Sequence, residues 1–292
     1  MPWEKKWFQF TVLLLLAFIW GSSFILMKIG LKSFDNIQVA SLRMGFASLF
    51  LLPLALPHLK TLKRKDVLPL LVAGFVGNLI PAFLFTKAQT RIDSSLAGML
   101  NSLTPVFTLV VSVVFFKLKS RLSQYLGITL GLIGALGLIV SGQSVSLNNL
   151  NTYAFFVVAA TICYAVNINV VKAYLTHLSG VQITALSFLF FGPVALYYFF
   201  SSDIQAATQN PDWLLHLGAL ALLGFIGTAT AMLMMNTLIK YSSPVFASSV
   251  TYVIPIFAIM WGMLDGEMVT VYHFLFMGIV LLGVYLTKKG SR

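Results

Sequence analysis

The chain has 292 residues, of which 59% are hydrophobic and 9% charged, with a mean hydropathy of +0.92 and a formal net charge of +11. A soluble domain carries about 25% charged residues, so this composition excludes an ordinary soluble enzyme or binding module. The cations sit in loops flanking apolar runs and form no basic face, which argues against nucleic acid as a partner.

Taken in chain order, Lys5 and Lys6 precede an apolar run longer than a signal-peptide core, with no small-residue cleavage site. This reads as a retained first helix. Ten apolar segments follow, at roughly 8–28, 37–57, 67–88, 94–116, 123–141, 152–175, 181–200, 214–238, 243–263 and 269–287. Each approaches the ~20 residues needed to cross a bilayer. Backbone polar groups in lipid must be paired within the segment, so each is expected to be a helix. With the N-terminus in the cytoplasm, 14 of 19 Lys/Arg fall on the cytoplasmic side. Lys28, Lys32, Lys87 and Arg91 fall outside, and Arg43 lies within a segment. Lys/Arg excess in short loops sets orientation, so both termini are expected in the cytoplasm. The single cysteine, Cys163, lies within a segment, so no intramolecular disulfide forms.

The two halves repeat. An offset of 144 matches Lys28 with Lys172, Gln38 with Gln182 and Phe46 with Phe190. From the third segment the offset is 150 and matches Gly74 with Gly224, Phe75 with Phe225, Gly77 with Gly227 and Pro105 with Pro255. Matched Lys, Gln, Pro and a Gly-Phe-x-Gly run in order point to duplication. The expected units are residues 1–146 and 147–292. Five helices per unit is an odd number, so the second copy enters the membrane from the opposite face. Such inverted repeats are a plan of secondary transporters, with the site between the halves. The expected fold is all-α: ten transmembrane helices as two inverted five-helix repeats around a central cavity.

Trp20-Gly21-Ser22-Ser23-Phe24 on the first segment resembles a signature of EamA-type proteins in the drug/metabolite transporter superfamily. Leu100-Asn101-Ser102-Leu103-Thr104-Pro105-Val106-Phe107-Thr108 resembles that family's fourth-helix motif. Tyr252-Val253-Ile254-Pro255, followed by Gly266-Glu267, resembles its second-repeat counterpart. The resemblance covers nearly the whole chain. It implies ten helices, a central cavity, and export of metabolites, amino acids or drug-like compounds, in a bacterial-type plasma (inner) membrane. One departure is Lys117, which stands where the second repeat has Glu267.

Polar groups inside membrane helices are costly and usually face the bundle interior. The candidate substrate-binding residues are Trp20 and Ser23 on the first segment, Asn78 and Phe85 on the third, and Asn101 and Thr104 on the fourth. Their counterparts are Tyr164 and Asn167 on the sixth, Thr228, Met232 and Asn236 on the eighth, and Ser248 and Tyr252 on the ninth. For any one of them, simple interhelical bonding is the competing reading. Arg43 reads as a carboxylate clamp or gate, or as a structural arginine bonded to carbonyls of a neighbouring helix or snorkelling outward. Pro105 and Pro255 remove backbone hydrogen bonds and are candidate hinges. Gly127, Gly131 and Gly134 form a small-residue face suited to packing within the monomer or in a homodimer.

No phosphate-binding loop, HExxH spacing or GxSxG elbow occurs, so no catalytic residue, metal or cofactor is expected. No carboxylate is expected within a helix; Asp35, Asp93, Asp265 and Glu267 fall at outer helix ends. The leading function is a secondary carrier exporting small organic solutes by alternating access, uncoupled or by exchange. The alternative is a membrane scaffold or passive pore. The partners expected are a small-molecule substrate and the lipid bilayer.

Overall fold

The computed structural model describes residues 2–60, 62–117, 122–141, 152–241 and 250–289. Ten long helices, one short helix, a 3-10 turn at Pro2–Glu4 and the connecting loops make up these residues. In chain order the helices are α1 (Lys6–Gly30), α2 (Asn36–Leu59), α3 (Arg64–Ala88), α4 (Ser94–Phe116), α5 (Leu122–Ser141), α6 (Ala154–Tyr174) and α7 (Gly180–Phe200). The short α8 (Ile204–Thr208) comes next. Then α9 begins as Trp213–Leu222 and ends as Ala231–Tyr241, and α10 (Val250–Leu264) and α11 (Val271–Lys289) follow. Eight of these helices are long and apolar enough to cross a membrane, and α10 and α11 are shorter apolar helices. The predicted segments therefore appear within a few residues of their expected ends. One helix was not anticipated, α8, which occupies the polar loop expected at 201–213. The start of the ninth segment, 243–249, lies outside the described residues.

Local chemistry fixes several ends. Asp35 caps α2 by accepting the N–H groups of Ile37 and Gln38, while the Gln38 side chain accepts the Asp35 N–H. Ser179 and Gln182 form the same reciprocal box at the start of α7. Such a box satisfies two otherwise orphaned donors, and the two boxes sit at matched positions of the halves. Gly266 turns the chain between α10 and α11 at φ +82, a conformation that costs glycine nothing.

The helix contacts also come in matched pairs. Helix α2 lies along α7, and α5 along α11. Helix α1 packs on α9 and α10, and α6 packs on α3 and α4. Gly224 of α9 abuts the backbone of α2, where a Cβ would stand 2.9 Å from the Arg43 carbonyl oxygen. Gly74 of α3 abuts α7 in the same way, 2.7 Å from the Ser187 carbonyl oxygen. The glycine face of α5 is covered by α11: a Cβ on Gly134 would meet the backbone nitrogen of Val280 at 2.8 Å. That assigns the small-residue stripe to packing within the monomer. Large apolar side chains such as Phe115, Leu122, Leu215 and Val271 point outward, as a lipid-facing surface requires.

Candidate functional site

Helices α3 and α9 are not regular throughout. Residues Phe75–Leu79 of α3 and Leu223–Thr230 of α9 form π-helical turns at matched positions. Such turns are rare and frequently mark functional sites. Their wide pitch brings a side chain onto the carbonyl five residues back: Asn78 onto Ala73, Thr228 onto Leu223 and Thr230 onto Phe225. Each turn holds a glycine that admits a polar side chain from the opposite half. Asn167 of α6 lies on Gly77, and Ser23 of α1 lies on Gly227. Trp20 adds an indole N–H donated to the Gly227 carbonyl at 3.1 Å.

Four predicted residues, Asn78, Asn167, Met232 and Asn236, line one pocket with Ala73, Thr184 and Ser187 between α3, α6, α7 and α9. Its free space is about 10 Å³, room for about one water molecule. Around these four residues the expected cavity is therefore closed down to about that volume. Asn236 donates to Thr184 at 2.6 Å across the pocket wall, whereas the Asn167 Oδ1 is buried without a partner. Phe85, Phe24 and Tyr164 fill the adjoining interior: Phe85 stacks on Tyr164 at 6.0 Å and meets Phe24 at 5.7 Å.

Helix α4 is interrupted at Ser102–Leu103, between Ser94–Asn101 and Thr104–Phe116. Pro105 thus starts the second half rather than bending a continuous helix. The Asn101 carbonyl, four residues before the proline, accepts the Thr104 hydroxyl at 2.8 Å, which replaces the hydrogen bond the proline cannot donate. The Asn101 Oδ1 remains buried and unpartnered. Ser23 bonds back to Ile19 of its own helix. Tyr252 packs against the main hydrophobic core, and Pro255 lies buried inside α10. Ser248 lies outside the described residues.

Among the described residues Arg43 bonds no carbonyl, and it does not snorkel outward. It is 8% exposed. It donates from Nε to the Thr228 hydroxyl at 2.8 Å and from Nη1 to the Met27 sulfur at 3.6 Å.

The two ends of the bundle carry the other charges. On the face where α1 begins, Asp66 in the first turn of α3 is 2% exposed and pairs with His177 at 3.0 Å. This corrects the expectation that no carboxylate lies within a helix; the first turn of α3 extends three residues beyond the predicted segment. On the opposite face, Lys28 bridges Asp265 at 2.7 Å and Glu267 at 2.8 Å. Glu267 also accepts the backbone N–H groups of Ser94 and Ser95, the start of α4. Burial pushes the Glu267 carboxyl up, but Lys28, Ser95 and Ser94 outweigh it and hold the group below its ordinary value. Burial, then the neighbouring Glu267 charge, push Asp93 up, against the opposing pull of Lys28 and His273.

The sequence reading missed Asn169 and Gln89. Asn169 donates to Thr108 and Ala165 carbonyls and accepts from Ser112 at 2.6 Å, tying α6 to α4. Gln89 donates to the Phe24 carbonyl and to Ser94, tying α3 to α1 and α4. Both are amides at or within apolar segments, the same signal that singled out Asn78 and Asn101.

The fold and site define a polytopic helical membrane protein with polar side chains gathered between matched helices. The model of the EamA-like transporter family matches the chain twice, at residues 7–140 and 151–288. The chain belongs to that family and is a membrane transporter. It is 29% identical to "Uncharacterized inner membrane transporter YedA" of Escherichia coli over 288 residues, covering 97% of this chain and 91% of the relative. It is 26% identical to an "Uncharacterized transporter" of Archaeoglobus fulgidus, covering 98% and 99%. A solved structure titled "Crystal structure of protein" aligns with TM-score 0.65 over 99% of both chains at 12% identity, a likeness of fold.

Proposed function

We propose that this transporter is a secondary carrier that exports small organic solutes, amino acids or amphipathic drug-like compounds, by alternating access between two inverted five-helix repeats. The carrying observation is the matched pairing of contacts: α1 on the π-turn of α9, and α6 on the π-turn of α3. Halves built alike but oppositely oriented can exchange conformations, which carries a central site from one face to the other. The double match of the family model supports the same division of the chain. On this reading all ten long helices cross the bacterial inner membrane, with both termini in the cytoplasm. Each π-turn is a place where a helix can change its winding without losing all its hydrogen bonds. The groups around these turns, Trp20, Ser23, Asn78, Asn167 and Thr228, form the substrate path with Asn101, and Phe85 and Tyr164 form its apolar wall. Transport is uncoupled or by exchange, since the carboxylates of Asp66, Asp93, Asp265 and Glu267 sit at the two ends.

The test is counterflow in proteoliposomes against a panel of amino acids and drugs, with and without a pH gradient and with the membrane potential clamped. Exchange without a gradient is expected, and no uphill accumulation of an electrically neutral solute. Absence of any exchange defeats the carrier reading; gradient-driven accumulation defeats the uncoupled one.

A further inference from the structure

Arg43 is a buried cation short of partners. A guanidinium has five N–H donors and cannot be neutralised by losing its proton. Two of those donors are engaged, and one of the two acceptors is a thioether sulfur, a weak one. Thr228 gives its own proton to the Leu223 carbonyl at 3.0 Å and so offers Arg43 a lone pair. Among the described residues no carboxylate pairs with Arg43; the acids of Asp265 and Glu267 are held by Lys28. A buried charge without a counter-ion is strongly unfavourable, and a well-oriented, hydrogen-bonded anion offsets much of that cost.

Its position is central. Met27 of α1, Arg43 of α2 and Thr228 of the α9 π-turn meet there. Phe24, one turn before Met27 on α1, begins an aromatic series that continues through Phe85 to Tyr164. A fork of donors matches the two oxygens of a carboxylate, and the aromatic series matches an apolar body attached to it.

We propose that Arg43 is the carboxylate-recognition group of the transporter, and that its solute carries one carboxylate at that end and an apolar body beyond. The inference rests on the carrier reading above and narrows its substrate class. A multiply anionic solute would need further buried cations. Lys28 is the nearest candidate in charge, and it is 30% exposed and already bridged to two acids.

The experiment uses the purified full chain and four probes: L-leucine, L-phenylalanine and their carboxamides, which keep the amine and lose the carboxylate. Binding is read as a shift in thermal unfolding and transport as counterflow, for the wild type, Arg43→Lys and Arg43→Gln. The wild type is expected to bind and exchange the acids and to ignore the amides. Arg43→Lys keeps the charge but loses the fork and should bind the acids about tenfold more weakly, and Arg43→Gln about a hundredfold more weakly. Without solute, Arg43→Gln should melt no lower than the wild type, because a ligand-binding arginine leaves a bare charge behind in the empty protein. A folded Arg43→Gln that still prefers acids over amides as the wild type does overturns the inference. So does unchanged acid affinity in Arg43→Lys, which decides the matter if Arg43→Gln fails to fold. Wild-type exchange of other solutes, with no response to either amino acid, leaves the carrier standing and removes Arg43 from the role.

Discussion

Replacing Glu267 by glutamine should loosen the face of the bundle opposite the N-terminus. The Glu267 side chain is 2% exposed and accepts three hydrogen bonds, from Lys28 at 2.8 Å, Ser94 at 2.8 Å and Ser95 at 2.9 Å. A hydrogen bond to a charged group is worth about 1.5–3 kcal/mol. Lys28 keeps Asp265 and is 30% exposed, so its share is discounted for solvent screening. The amide oxygen of glutamine still accepts one N–H. The net cost is about 2 kcal/mol, roughly a thirtyfold change in the folding equilibrium. The pH dependence follows from the lowered pKa of Glu267. Its stabilisation is complete above the unfolded carboxylate value of about 4.3 and is lost as pH falls through the lower folded value. Glu267→Gln lacks that titration, and other acids largely cancel in the comparison. Thermal unfolding in detergent, followed by loss of the monodisperse species, should show a gap at neutral pH that closes in strong acid. No gap at neutral pH, or one that persists unchanged in acid, refutes the reasoning.

Gly134→Leu should abolish most folded yield in detergent extracts, because its β-carbon meets the Val280 and Phe276 backbones at 2.8 and 2.9 Å, which no rotamer relieves. Near-normal yield would contradict the α5–α11 contact. Asn101→Ala should insert and fold at wild-type levels, since its Oδ1 has no partner to lose, yet lower solute affinity about 5- to 150-fold. Trp20→Ala should impair transport similarly and also cost about 1 kcal/mol of stability through the lost Gly227 bond; unaltered transport in both folded variants removes them from the path. In a Cys163→Ser background, Ala206→Cys should react with an impermeant thiol reagent on intact cells and Leu62→Cys should not; the reverse pattern inverts the topology.

Segment ends were legible because continuous apolar runs in lipid leave the backbone one solution, and the matched residues Gly74 and Gly224 both proved to sit at close helix contacts. The closed interior was not legible. Whether Phe24, Phe85 and Tyr164 line a space or fill it depends on helix separation, which composition does not encode. The π-turns were also invisible, because an extra residue in one turn leaves the apolar run unbroken. For Arg43 the acceptors were not the expected carbonyls but the Thr228 hydroxyl and the Met27 sulfur on neighbouring helices, 185 and 16 positions away. Ser102–Leu103 shows the same limit: Pro105 announced a disturbance in α4, but the capture of the Asn101 carbonyl by Thr104 needed coordinates.

The joint between α5 and α11 is made of backbone meeting backbone. A Cβ on Gly283 would meet only backbone, the Gly127 carbonyl oxygen and Gly131, and one on Gly134 would meet the Val280 and Phe276 backbones within 2.9 Å. Residues 127–137 and 276–283 hold no ionisable group, so acid, salt and membrane voltage have no handle on the joint. Lys28 and Glu267 answer to all three. Conditions that unfasten the charged end therefore leave this seam intact, and an acid-loosened molecule remains clasped along α5 and α11.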